Sequence, residues 1–208
     1  MSKKLLITIA RQYGSGGREI GELVAKKLGL PIYDKLLITE AASKGNLNEN
    51  VLRNADESAT NSLLYTLAMG SNTLGATMHF GYKMPLNDKL FLLQSEVIRD
   101  CAKLGSGIFI GRCADYVLRE EPNVMRLFIY GDLEHRKERV AERHPDLKPH
   151  QVMDAINKTD KRRATYYNFY TGNKWGKYDN YDLAINSSTL GIEGTADLIC
   201  QFAKQMME

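Results

Sequence analysis

Apolar residues in this chain come in short continuous runs that alternate with longer stretches at helical spacing. The first run, Leu5-Leu6-Ile7-Thr8-Ile9-Ala10, has the β-branched character of a strand buried on both faces. Ile20, Leu23, Val24 and Leu28 then recur on one helical face, and Gly29 supplies a stop. A short strand is expected over 30–33, with Asp34 capping a helix that runs to Ala42. Residues 44–84 read as helices joined by glycine turns, closed by Pro85. Leu90, Leu93, Val97, Ile98 and Cys101 predict an amphipathic helix over 86–104. A strand over 107–110, a short helix over 113–119 and a strand over 124–130 follow. Asp132 is expected to cap a helix running to Arg143, and Pro145 and Pro149 interrupt the chain before a long helix over 148–170. A last strand over 181–186 precedes a final helix over 189–207. Strands alternating with helices predict an α/β fold, a parallel sheet covered by helices on both faces.

Between the first strand and first helix lies Arg11-Gln12-Tyr13-Gly14-Ser15-Gly16-Gly17. Strand, glycine-rich turn and helix together make an anion site: backbone N–H groups converge in the turn and the helix start adds partial positive charge. The loop departs from the Walker A pattern G-x-x-x-x-G-K-[ST]. One frame puts Arg11 in the first glycine slot, Gly16 in the second and Gly17 in the lysine slot. The other puts Gln12 first, then Gly17, with Arg18 for lysine and Glu19 for Ser/Thr. In both, Arg18 is the nearest cation. The dinucleotide pattern G-x-G-x-x-G fails at Glu19, although Asp34 lies at about the distance of its acidic residue.

Length and composition, 208 residues with 43% hydrophobic and 25% charged, fit one globular domain with a mobile insertion. The net charge of +3 excludes a general polyanion-binding surface, so local basic clusters matter more. Cys101, Cys113 and Cys200 are isolated, and His79, His135, His144 and His150 lack metal-ligand spacing. Neither a disulfide framework nor a zinc site is expected. No signal peptide or membrane span is visible, and a cytoplasmic setting is expected.

Ligands of open parallel sheets sit beyond the carboxyl ends of the strands. Those ends carry residues 11–17, Asp34, Arg112, Gly131-Asp132 and Asn186-Ser187-Ser188. Arg112 follows a wholly apolar strand, where a guanidinium can clamp a phosphate or pair with Asp115. Arg136, Arg139 and Arg143 recur on one helix and Lys161-Arg162-Arg163 on the next. Such runs are commonly solvated faces, but two basic helices can also close over a nucleotide. Asp160 and Arg163, one turn apart, can act together or pair. Tyr166, Tyr167, Phe169, Tyr170 and Trp175 are expected to pack this region on the body rather than stack on nucleic acid.

The blocks ITIARQYGSGGREIGELVAKKLGLPIYDKLLITEAA, IFIGRCADYVL, DKRRATYYNFY and INSSTLGIEG resemble the cytidylate kinase-like family. The resemblance spans nearly the whole chain. It implies a P-loop NTPase, nucleoside monophosphate kinase-like core as a single domain over 1–208. It also implies a helical acceptor-side insertion at 44–84 and a lid-like helical region at 136–177. On that resemblance ATP and Mg²⁺ would be the cofactors. Arg11, Gly14, Ser15, Gly16, Gly17 and Arg18 would hold the donor phosphates, and Asn186 and Ser187 would lie near the adenine. Asp34, Arg112 and Asp115 would face the acceptor, while Arg18, Arg112, Asp160 and Arg163 would carry the catalytic charge. Ser15 is the candidate Mg²⁺ contact, without supporting spacing.

The expected activity is phosphoryl transfer from ATP to a nucleotide-like or other small phosphorylated acceptor. A non-catalytic nucleotide- or anion-binding protein and an NAD(P)-dependent oxidoreductase are the alternatives. No nucleic-acid or membrane partner is expected, and oligomeric state stays open, a homodimer included.

Overall fold

The computed structural model describes residues 3–34 and 86–207. The expected helix after Asp34 and the expected insertion at 44–84 lie outside the described residues. The described elements are β1 (Leu6–Arg11), α1 (Gly17–Leu28), β2 (Ile32–Tyr33), α2 (Leu86–Lys103), β3 (Gly107–Ile110), α3 (Ala114–Val117) and β4 (Val124–Tyr130). They continue with α4 (Leu133–Arg143), α5 (Pro149–Thr171), a 3₁₀ turn (Tyr178–Asn180), β5 (Leu183–Asn186) and α6 (Ser187–Met207). All strand pairs are parallel, in the order β2-β3-β1-β4-β5. β1 is central and pairs with β3 through Leu6↔Gly107 and with β4 through Leu6↔Val124.

Side chains of β1 alternate between two apolar layers because a strand has a period of two. Ile7 and Ile9, with Leu5 just before the strand, join Ile20 and Val24 of α1 and Ala196 and Ile199 of α6. Leu6 faces the other way, onto Phe109, Ile98 and Ala102 of α2, and Ala114 and Val117 of α3. Each fully buried Leu or Ile contributes about 1.5–3 kcal/mol, so the two layers clamp β1 from both sides. That clamp makes the C-terminal end of β1 a rigid platform for the loop after it.

The α5 aromatics behave as packing residues. The rings of Tyr170 and Phe91 stack with centroids 4.1 Å apart, and Trp175 meets Phe128 edge-on at 5.2 Å. The hydroxyls of Tyr170 and Tyr166 donate to Asp88 and Gln94 of α2 at 2.9 and 3.4 Å. The last strand is shorter than expected, because Tyr181 and Asp182 turn before it; Asp182 instead accepts the Arg126 backbone N–H at 2.7 Å. α6 begins at Ser187 and bends at Gly191 (φ +65°, ψ −175°), a backbone conformation that side chains disfavour.

Candidate active site

The loop joining β1 to α1 takes left-handed backbone at Gly14 (φ +81°) and Gly16 (φ +76°). A side chain is strained at both positions, and at Gly14 it also meets backbone. A Cβ on Gly14 would sit 2.8 Å from the Arg136 carbonyl oxygen, and one on Gly16 would sit 2.3 Å from Ile192 Cδ1. Gly16 is also the N-cap of α1, so no side chain caps this helix. Its first N–H groups therefore keep their dipole directed at the space before the loop. That space is a cavity of about 230 Å³, walled by the loop, Asp34 and four arginines: Arg11, Arg18, Arg143 and Arg163.

Residues distant in sequence hold the loop. The Tyr13 N–H donates to Asp160 Oδ1 at 2.7 Å, and Arg136 Nε donates to the Tyr13 carbonyl at 2.8 Å. Arg136 and Asp160 also form an ion pair, with side chains 7% and 17% exposed. Gln12 Oε1 accepts the Gly131 N–H at 3.2 Å. The fully buried Ser15 hydroxyl lies 2.9 Å from the Gln12 carbonyl and 3.2 Å from that of Ile129. Ser187 Oγ in turn lies 2.7 Å from the Ser15 carbonyl and 2.9 Å from that of Tyr130.

The expected site residues separate into three groups. Arg11, Gly14, Gly16, Gly17, Arg18, Asp34 and Arg163 come together around the cavity. Arg18 pairs with Asp34 at 2.9 Å and with Glu22 at 3.0 Å, its side chain 63% exposed. Arg163 Nη1 donates to the Arg11 carbonyl at 2.9 Å.

Arg112 and Asp115 line a second, adjoining pocket of about 40 Å³ that shares Arg11 and Arg163 with the first. Arg112 is buried, with its guanidinium carbon 5.5 Å from the Tyr166 ring centroid. It sits in a run of left-handed backbone, Gly111 (φ +75°), Arg112 (φ +55°) and Cys113 (φ +54°). Two non-glycine residues in that region store strain, typical of a functional position. Asp115 accepts the Tyr167 hydroxyl at 2.6 Å. Burial pushes its carboxyl above the usual range, although the Tyr167 hydrogen bond acts in the opposite sense.

Asp160, Ser15, Asn186 and Ser187 brace the loop and its neighbours. Asn186 Nδ2 donates to Asp132 Oδ1 at 2.9 Å, and the Ser188 N–H donates to Asn186 Oδ1 at 3.0 Å. Asp132 is therefore the N-cap of α4 by position but makes no side-chain cap bond.

Arg136 and Glu19 were not singled out as site residues from the sequence. Arg136 stands one helical turn before Val140, and both are buried in α4, a spacing that could have marked Arg136 as inward-facing. Glu19 takes Arg139 Nη2 at 2.6 Å and also pairs with Arg143, which ties α1 to α4. No local pattern announces that contact.

These elements define a P-loop kinase-like protein: a five-stranded parallel sheet in β2-β3-β1-β4-β5 order with a glycine loop leaving its central strand. The chain belongs to the cytidylate kinase-like family, whose model matches residues 6–189. A solved protein of uncharacterised function from Eubacterium ventriosum is 25% identical, with a TM-score of 0.72 and coverage of 97% of this chain and 99% of that one. Shikimate kinase from Bacteroides thetaiotaomicron shares the fold at 11% identity, TM-score 0.53 and coverage of 97% and 99%. So does a gluconokinase from Sinorhizobium meliloti, at 13% identity, TM-score 0.50 and coverage of 99% and 97%. No curated protein sequence matches the chain. β3 rather than β2 lies beside β1, which is not the 3-2-1 order of the dinucleotide fold and removes support from the oxidoreductase alternative. No helix among the described residues is long and apolar enough to cross a membrane.

Proposed function

We propose that this protein is a phosphotransferase that moves the terminal phosphoryl group of ATP to a small anionic acceptor, with a nucleoside monophosphate as the first candidate. The observation that carries this reading is the cavity at the uncapped start of α1, ringed by Arg11, Arg18, Arg143 and Arg163. Phosphoryl transfer needs positioning and charge neutralisation more than covalent help, and this wall offers both.

The amides from Gly14 to Arg18 would bind the donor phosphates. Arg112 would hold the acceptor's anionic group in the adjoining pocket, too small for more than that group. Arg163 and Arg11 line both pockets and would face the group in transit. An acceptor phosphate oxygen attacks the terminal phosphorus, the bond to the bridging oxygen breaks, and ADP leaves with that electron pair. An ionised phosphate oxygen carries no proton, so the step requires no general base. Asp160 acts indirectly, by holding Tyr13, and residues 136–177 would form the lid-like region.

Mg²⁺ would neutralise the polyphosphate when bound. Ser15 does not fit as its ligand, because the hydroxyl is buried against two carbonyls. Asp34, the carboxylate in the cavity wall, does fit, since Mg²⁺ is commonly bound through one or two carboxylates plus phosphates. The non-catalytic reading draws on a different observation: Glu19 already offsets Arg139 and Arg143.

One experiment separates the two. ATP and Mg²⁺ are supplied with each nucleoside monophosphate, and with shikimate and gluconate because the fold neighbours carry those names. ADP formation and thermal stabilisation are both recorded. Acceptor-dependent ADP is the expected result. Stabilisation by ATP without turnover on any acceptor selects the binding reading, and neither response refutes both.

A further inference from the structure

We propose that Arg11 supplies, from the end of β1, the polyphosphate-binding charge that the Walker pattern places on a lysine at the start of α1. This inference rests on the nucleotide reading above and assigns the cation within it.

In the frame that puts Gly16 in the second glycine slot, the pattern asks for glycine at position 11 and lysine at position 17. The chain has Arg11 and Gly17, the same two kinds of residue with their places exchanged. The structure shows that the two positions compete for one volume. A Cβ built on Gly17 would lie 2.6 Å from Arg11 Cβ and 3.0 Å from Arg11 Cγ. A side chain at 17 and the stem of Arg11 therefore exclude each other, and glycine at 17 is what lets the arginine stem pass.

The far end of the side chain has a second glycine under it. A Cβ on Gly111 would lie 2.3 Å from Arg11 Nη1. Gly111 is at φ +75°, a conformation that already favours glycine. Arg11 thus runs from the mouth of the glycine loop to the end of β3, along the boundary of the two pockets it lines. Its backbone is pinned there by the hydrogen bond from Arg163 Nη1 to its carbonyl.

Arg18, the other candidate cation, is placed differently. It lies on the exposed side of α1, and two carboxylates, Glu22 and Asp34, take its guanidinium. Arginine from the strand also differs from lysine from the helix: its planar fork can hold two phosphate oxygens at once. On the boundary of two pockets, that fork can bridge donor and acceptor.

The test is titration of ATP, and separately of inorganic triphosphate, by calorimetry and thermal shift. The proteins are the wild type, Arg11→Ala, Arg11→Gln, Gly17→Lys and the double variant Arg11→Gly with Gly17→Lys. Lys26→Ala, an exposed cation near the far end of α1, serves as the control. Arg11→Ala and Arg11→Gln should each weaken both ligands about 10- to 100-fold, the scale of a lost charge-assisted hydrogen bond. Gly17→Lys alone should bind poorly, because its side chain meets Arg11. The double variant, which restores the Walker spacing, should recover most of the affinity. Folded Arg11→Ala or Arg11→Gln protein that binds as the wild type does overturns the assignment. So does a folded double variant no better than Arg11→Ala. A wild type that binds neither ligand overturns the nucleotide reading itself, a separate and recognisable outcome.

Discussion

Tyr13 is gripped at both its backbone polar groups, by Asp160 on its N–H and by Arg136 on its carbonyl. Asp160 and Arg163 stand three apart on α5, so the sequence allows them to act together or to pair. Packing brings both to Tyr13: Asp160 accepts its N–H and pairs with Arg136, while the Arg163 guanidinium carbon lies 5.8 Å from its ring centroid and Nη1 donates to the Arg11 carbonyl. Asp160→Ala would strand the Arg136 charge, which is buried. The expected cost is about 3–5 kcal/mol, lowering the melting temperature by roughly 6–20 °C for a chain of this size. Asp160→Asn keeps an acceptor for Tyr13 and should cost less. Thermal denaturation checks both, and an Asp160→Ala protein that melts with the wild type would show that the grip contributes nothing.

At the scale of elements, the glycine loop is shaped as much by α4 as by its own sequence. Gly14 faces the backbone of α4, and a peptide carbonyl cannot move aside as a flexible side chain can. Gly14→Ala would add left-handed strain of about 1–2 kcal/mol to a contact that pushes α4 away from the loop. We expect a stability loss of about 2 kcal/mol or more together with weaker ATP binding, read by urea denaturation and calorimetry. Full stability with undiminished binding would mean that the loop does not depend on this approach. Most element boundaries were legible, because period-two and helical patterns are local properties. Asp132 was legible as the residue before α4. Its carboxylate is nonetheless taken by Asn186 from a strand 54 residues away, which no helix-start signal contains.

At the scale of the whole molecule, Asp115 couples protonation to global stability. It lies in α3, accepts the Tyr167 hydroxyl from α5, and feels Arg126 on β4. Burial nevertheless dominates and raises its pKa above the ordinary 3.8. The folded protein therefore binds this proton more tightly than the unfolded chain does. Its contribution to stability is fully present below the ordinary carboxylate range and is lost as pH rises through the raised value. Asp115→Asn lacks that loss. Melting curves from acidic to neutral pH should show the difference between variant and wild type moving steadily in the variant's favour. Movement the other way would contradict the burial argument.

The order of strands and helices, the glycine turn after the first strand and the arginines near strand ends follow from sequence alone, because each depends on residues within a few turns of one another. The tertiary structure decided which of those charges meet. Glu19 reaches Arg139 across 120 positions and Ser187 reaches Ser15 across 172. Arg11 and Gly17 are only six apart, yet their shared volume exists only once β1 and α1 are fastened to the same sheet. Periodicity selects an element. Only packing selects the neighbour against which a charge must be balanced.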